Sequence, residues 1–123
     1  MCKILLSINP EHVENIFSGV KKYEFRKVRC RSEVDRMLIY STAPVMAVVG
    51  EAEILGIIED EPEKVWELTA VFSGIDKDFF DEYYKEKVKA VAYQLGKITK
   101  YLEPLKLSDF DINFAPQSFV YIK

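Results

Sequence analysis

The sequence predicts a mainly β fold with helices: a small, mostly antiparallel barrel of about six strands, with helices packed on its outside. Strand-type segments outnumber helical ones, and most neighbouring strand segments lie too close in the chain for a helical crossover. The length of 123 residues suits one domain, so residues 1–123 are predicted to form a single unit. Apolar residues make up 49% of the chain, which is enough to build one core.

The first predicted elements are a strand, a helix and a second strand. Residues 2–8 indicate a mostly buried strand, and Asn9 and Pro10 mark a helix start, because Asn caps helices and Pro suits their first position. Apolar residues follow at helical spacing: Val13, Ile16, Phe17 and Val20. Gly19 is placed to end this helix in a left-handed conformation. From 22 to 26, charged and aromatic residues alternate, which predicts a strand with one charged and one apolar face.

The middle of the chain contains two more strand segments. Residues 37–42 form one, closed by Pro44, and residues 45–58 form a long second one. Gly50 and Gly56 interrupt the long segment, which indicates a bulge or a bend of the barrel.

Two short helices are predicted next. Pro62 opens the first, Gly74 breaks it, and Asp76 caps the second. Their aromatic residues could present a base-binding surface, but helical spacing and the many neighbouring acids favour packing of the helices on the barrel. These aromatic residues are Trp66, Phe72, Phe79, Phe80, Tyr83 and Tyr84.

The last predicted elements are strands. Residues 88–102 alternate as a long strand that Pro104 stops. A turn or helical turn follows at 108–113, and residues 117–122 form the closing strand.

Charge is distributed unevenly along the chain. The net charge is −3, which argues against a protein that coats nucleic acid non-specifically, because such binding needs many phosphate contacts. Residues 21–36 nevertheless hold seven basic and three acidic side chains, and residues 59–86 hold ten acidic and three basic ones. These segments predict one basic and one acidic region, either as binding surfaces or as plain solvated faces.

Several classes of protein are disfavoured. No apolar run is long enough to span a membrane, and the N-terminus is too short and weakly charged for a signal peptide, so a cytoplasmic location is expected. Cys2, Cys30 and His12 are too scattered for a zinc site, so no metal and no cofactor are expected. A single histidine also disfavours a histidine-dependent catalytic triad.

The stretch SINPEHVENIFSGVKKYEFRK, residues 7–27, resembles the start of the ASCH family, relatives of the PUA domain. That family has the pattern G-x-K-x-x-E-x-R after a strand and a short helix. Four residues fill its fixed positions here: Gly19, Lys21, Glu24 and Arg26. Residues 39–54 and 104–123 are similar to later strands of the family, whereas the helical pair at 62–85 matches it less clearly.

The resemblance implies a PUA-like β-barrel with a cleft that handles RNA or a modified nucleobase. Some members resemble small hydrolases of acylated nucleosides, a few are described as ribonucleases, and others sit in transcriptional coactivators. The leading hypothesis is therefore a small RNA-binding or modified-nucleobase-binding module with a basic cleft, regulatory in transcription or translation. The alternatives are a hydrolase or nuclease of modified nucleosides or RNA, and a regulatory module whose acidic helices bind a protein partner. The sequence does not indicate an oligomeric state.

Three residues of the pattern are the main candidates for the binding site. Lys21 offers a point charge to a phosphate, and Arg26 a planar fork that fits a phosphate or a guanine edge. Glu24 lies about 7 Å from Arg26 on the same strand face. It either forms an ion pair with Arg26 on a solvated face or accepts a hydrogen bond from an exocyclic amine of a base.

Further candidates lie later in the chain. Tyr40 and Ser41 end a strand beside a proline, where Tyr40 stacks on a base or packs within the fold, and Ser118 donates to a phosphate or only shapes a turn. Hydrolase-like relatives have a threonine nucleophile at the position of Glu24, so their mechanism does not carry over. Activation of water by Glu24, with Lys21 stabilising an oxyanion, is the remaining enzymatic route. No catalytic residue is assigned from sequence.

Overall fold

A computed structural model describes residues 2–122 of the chain. The predicted order of six strands and three α-helices is confirmed. The strands are β1 (Cys2–Ile8), β2 (Tyr23–Arg26), β3 (Val34–Ser41), β4 (Ala47–Asp60), β5 (Ala90–Leu105) and β6 (Phe119–Ile122). The helices are α1 (Pro10–Ser18), α2 (Pro62–Thr69) and α3 (Lys77–Tyr83), with short 3-10 helices at Ala70–Phe72 and Leu107–Phe110.

The strands form one mixed sheet in the order β2-β5-β4-β3-β1-β6. Strands β1 and β3 pair in parallel, and the other neighbours pair antiparallel. Within residues 2–122 no ladder joins the edge strands β2 and β6, so the predicted closed barrel is wrong and the sheet is open. Helix α1 packs Val13 and Ile16 into the core formed by β1, β3, β4 and β5. The helix therefore covers apolar residues of these four strands.

Helices α2 and α3 cover a second part of the sheet. Phe80 is fully buried there and contacts Phe25 of β2, Trp66 and Tyr84 edge-on or tilted, with ring centroids 4.8–5.3 Å apart. The predicted packing of the helical aromatic residues is confirmed for this group. Phe72 and Phe79 differ, because 44% and 49% of their surfaces stay exposed.

Two predictions on strand β4 and strand β5 had different outcomes. The pairing register of β4 shifts next to Gly50 and Gly56, as expected for bulges. Pro104 does not stop β5, which continues to Leu105. Since β2 pairs with β5 only between Val91 and Gln94, Pro104 lies where β5 has a partner on one side alone, and a strand tolerates proline there.

The predicted helix boundaries are mostly confirmed. Gly19 adopts the left-handed conformation with φ of 87°, and Asp76 caps α3 by accepting a hydrogen bond from the Phe79 amide at 2.8 Å. Asn9 makes no side-chain cap, because its Oδ1 accepts a hydrogen bond from the Thr42 hydroxyl instead. None of the helices described is long and apolar enough to cross a membrane.

Candidate functional site

Three residues of the G-x-K-x-x-E-x-R pattern, Lys21, Glu24 and Arg26, meet at a cleft of about 180 Å³, here called the Lys21 cleft. It lies where the end of β1, the start of α1, strand β2 and helix α3 come together. Its lining residues are Ser7, Ile8, Asn9, His12, Lys21, Glu24, Phe25, Arg26, Ile75, Phe79 and Tyr83. The volume is below the ~300–1,000 Å³ of common small-molecule sites, so the cleft suits a part of a nucleotide.

The main chain around Lys21 is fixed from both sides. The Lys21 amide donates to the carbonyl of Asn15 in α1 at 2.9 Å, and the Lys22 amide donates to the carbonyl of Phe72 at 2.8 Å. Gly74, with φ of +71°, lies directly against the Lys21 side chain, since a Cβ there would be 2.5 Å from Lys21 Cβ. Helix α1 and the segment before α3 therefore hold Lys21 in place.

The Lys21 side chain is buried, with only 3% of its surface exposed. Its Nζ donates to the carbonyl of Ser73 at 2.9 Å, lies 3.9 Å from Glu24 Oε1 and sits 4.7 Å from the centroid of the Phe25 ring. Burial lowers the pKa of Lys21; the nearby Glu24 carboxylate opposes this shift and Arg26 adds to it.

Glu24 and Arg26 form the second part of the site. Arg26 Nε donates to Glu24 Oε2 at 3.0 Å, and Arg26 Nη2 donates to the carbonyl of Ser7 at 2.6 Å. The predicted ion pair between Glu24 and Arg26 is therefore present. It does not lie on a solvated face, because the two side chains are only 8% and 13% exposed, respectively. Because Nε and Nη2 are occupied, Nη1 is the nitrogen of the guanidinium that makes no hydrogen bond within residues 2–122.

The sequence analysis missed four polar residues of the cleft, namely Ser7, Asn9, His12 and Tyr83. Burial lowers the pKa of His12, and Lys21 lowers it further, so the imidazole is neutral at pH 7. Its ring lies 5.4 Å from that of Phe79, edge to face. Burial raises the pKa of Tyr83. His12 was the one recognisable signal, as the single histidine of the chain, just inside the predicted helix start.

The other predicted site residues do not join this group. Tyr40 is 5% exposed and packs with Leu5, Leu38 and Val48. Ser41 is buried and pairs with Ile8 in the ladder between β1 and β3. Ser118 is exposed just before β6. None of the three lines the Lys21 cleft, so their binding roles stay predictions.

The basic segment at 21–36 is not a free patch of positive charge. Five of its seven cations lie within 4.0 Å of a carboxylate: Lys21, Arg26, Arg29, Arg31 and Arg36. Lys22 and Lys27 instead sit over the rings of Phe72 and Tyr83. The cations that face the cleft are therefore few and held in defined positions. In the part of the chain described, no group of three or more His, Cys, Asp or Glu residues is placed to hold a metal ion.

Comparison with solved structures defines the class of this fold. The crystal structure of ASCH from Zymomonas mobilis matches the chain with a TM-score of 0.89 and 25% sequence identity, over 98% of this chain and 87% of that one. The fold is thus that of an ASCH domain, as the sequence pattern predicted. The chain belongs to the family described as domain of unknown function DUF365, whose model matches residues 4–117.

Two curated relatives differ in how much of them the chain covers. A Zymomonas mobilis protein named ASCH domain-containing ribonuclease is 27% identical over 124 residues, which is 97% of this chain and 83% of that protein. A Ureaplasma parvum protein named ATP synthase subunit alpha is 33% identical over 122 residues, but the chain spans only 15% of its length.

Proposed function

We propose that the protein acts on RNA, binding a backbone phosphate of a single strand in the Lys21 cleft and hydrolysing the chain there. Support comes from the relative named as a ribonuclease, which the chain covers over 83% of its length. The hydrolase or nuclease alternative is therefore preferred to a module that only binds.

The observation that carries this proposal is the close grouping of Lys21, Glu24 and Arg26. Two cations and one carboxylate leave the lining with one excess positive charge, and buried charges interact more strongly with a ligand than exposed ones. Arg26 Nη1 and Lys21 Nζ are the donors suited to non-bridging phosphate oxygens. Such donors, held in place beforehand, are also what stabilises the negative charge that develops during phosphoryl transfer.

Glu24 orients the two cations in this proposal. Its Oε2 accepts from Arg26 Nε, and its Oε1 faces Lys21 Nζ, so both carboxylate oxygens have cationic neighbours. A carboxylate held in this way is a poor general base, because its negative charge is stabilised by both partners.

A second candidate is binding of RNA or a modified nucleoside without turnover. The observation in its favour is that Glu24 is the only acid among the described residues that line the cleft. A site without a free carboxylate supports recognition more directly than it supports hydrolysis.

The test uses a labelled single-stranded RNA with the wild-type protein and three variants. Lys21→Ala and Arg26→Ala should each lower the cleavage rate by about 10²–10³, as loss of a transition-state donor does. Lys22→Ala is the matched control, because Lys22 is exposed and lies over Phe72 outside the cleft. Cleavage that is unchanged in Lys21→Ala and Arg26→Ala would reject the site. Binding that depends on Lys21, without cleavage, would establish the second candidate.

A further inference from the structure

Two buried polar side-chain atoms lack any hydrogen-bond partner in the described protein, and the residues that carry them both line the Lys21 cleft. They are Ser7 Oγ and His12 Nδ1. Buried polar groups nearly always have a partner, and one left without costs about 1–3 kcal/mol. Two such atoms at one cleft therefore point to a ligand group that satisfies them.

The surroundings fix both residues. Ser7 lies at the end of β1, where Arg26 Nη2 donates to its carbonyl at 2.6 Å. His12 lies in the first turn of α1, and its ring contacts the edge of Phe79. Ser7 is thus joined directly to the residue that presents Nη1 to the proposed phosphate, and His12 lines the same cleft.

The chemistry of the two groups indicates a hydroxyl ligand. A serine hydroxyl both donates and accepts, and a neutral imidazole offers one acceptor nitrogen and one donor nitrogen. A phosphate oxygen would need donors and positive charge, which Lys21 and Arg26 already supply. A hydroxyl can accept from one of these groups while it donates to the other.

We propose that Ser7 and His12 form a ribose-binding pair that recognises the 2′-hydroxyl of the nucleotide whose phosphate binds at Lys21 and Arg26. This inference rests on the proposed function and adds a property to it: the cleft selects RNA over DNA. The 2′-hydroxyl is the group that lets a protein distinguish the two at one site.

The test compares the affinities of an RNA and a DNA strand of the same sequence, each labelled and single-stranded. Wild-type protein should bind the RNA about tenfold or more tightly than the DNA. The 2′-hydroxyl supplies the missing hydrogen-bond partner of the two buried groups, and a gain of about 1.4 kcal/mol corresponds to a factor of ten in affinity. Ser7→Ala and His12→Ala should each reduce that ratio several-fold, and the double variant should bring it close to one. DNA affinity should stay unchanged, which shows that the variants fold and keep the phosphate contacts.

Ser18→Ala is the matched control. Ser18 ends α1, and its exposed hydroxyl donates to the Asn15 carbonyl away from the cleft, so its loss should leave the ratio intact. If Ser7→Ala does not fold, the wild-type protein can be titrated with a series of RNAs that each carry one 2′-deoxy position. Removal of the 2′-hydroxyl at one position should then account for the lower affinity for DNA.

The outcomes separate the two proposals. RNA and DNA affinities that are equal for the wild type, or a ratio unchanged in Ser7→Ala and His12→Ala, would overturn the ribose-binding pair and leave the proposed function standing. RNA binding and cleavage that do not depend on Lys21 would overturn the proposed function, and the ribose-binding pair with it.

Discussion

The side-chain amine of Lys21 donates a hydrogen bond to the main-chain carbonyl of Ser73 at 2.9 Å, across 52 positions of sequence. This contact joins the turn between α1 and β2 to the segment that leads into α3. Because Lys21 is buried, its position depends on that segment as well as on α1, where the Asn15 carbonyl accepts from its amide. Gly74 belongs to the same segment and packs directly on the Lys21 side chain.

Gly74→Ala should reduce both stability and RNA binding. An added Cβ would meet Lys21 Cβ at 2.5 Å, and φ of +71° already strains any residue with a Cβ. Gly19→Ala is the control, since it has φ of +87° but nothing within 4 Å, and should cost only the ~1–2 kcal/mol of the left-handed conformation. Denaturant unfolding and RNA titration measure both effects. Equal losses of stability and binding in the two variants would contradict the proposed packing role.

Glu24→Gln should destabilise the fold without weakening RNA binding. Removal of the negative charge leaves Arg26 and Lys21 without a buried counter-charge, for a loss of about 1–3 kcal/mol, while the cleft becomes more positive. Glu33→Gln is the matched control, because Glu33 pairs with Arg31 where both side chains are more than half exposed, and should cost under ~1 kcal/mol. Loss of RNA affinity in a folded Glu24→Gln protein would contradict this prediction and show that binding needs the carboxylate, either to orient the two cations or to contact the ligand.

Salt dependence should report the number of phosphate contacts. Each contact with a single strand contributes about −0.7 to the slope of log K against log salt, so two contacts predict about −1.4. Lys21→Ala should make the slope less steep by about 0.7, and Lys22→Ala should leave it unchanged. Titrations at several salt concentrations measure this. A slope several times steeper than −1.4 would mean that RNA binds along a broad surface instead.

The stability of the protein should fall as the pH decreases below 6.5, the ordinary pKa of histidine. The pKa of His12 is lowered in the fold, mainly by burial and then by Lys21, while Glu24 and Glu11 oppose the shift and Arg26 adds to it. The unfolded chain therefore binds more protons in this range, and protonation favours unfolding. Thermal melts between the lowered pKa and pH 6.5 should show a smaller dependence on pH in His12→Gln. An identical pH dependence in both proteins would mean that carboxylates cause the effect.

Sequence reasoning predicted the order of elements because the patterns involved are local. The change from helical to alternating spacing around Gly19, and the capping role of Asp76, depend on residues a few positions apart. Closure of the sheet is different, since it depends on whether β2 and β6 meet, and no local pattern encodes that pairing.

The candidate site was predictable only in part. The spacing of Lys21, Glu24 and Arg26 identified residues that do converge. Ser7 and His12 stand alone in the sequence, and only the packing of β1 and α1 brings them to the same cleft. The ion pairs of the basic segment at 21–36 were not predictable either, because partners such as Glu51 and Glu59 lie in β4, far away in the sequence.

The Lys21 cleft draws its walls from two parts of the chain, residues 7–26 and 75–83, which come together only in the folded protein. An unfolded chain has no such enclosure, so a nucleotide that enters it stabilises the native state by mass action, by about 2.7 kcal/mol at a concentration 100 times the Kd. A rise in melting temperature across a panel of mononucleotides would then reveal the preferred base without any assay of turnover.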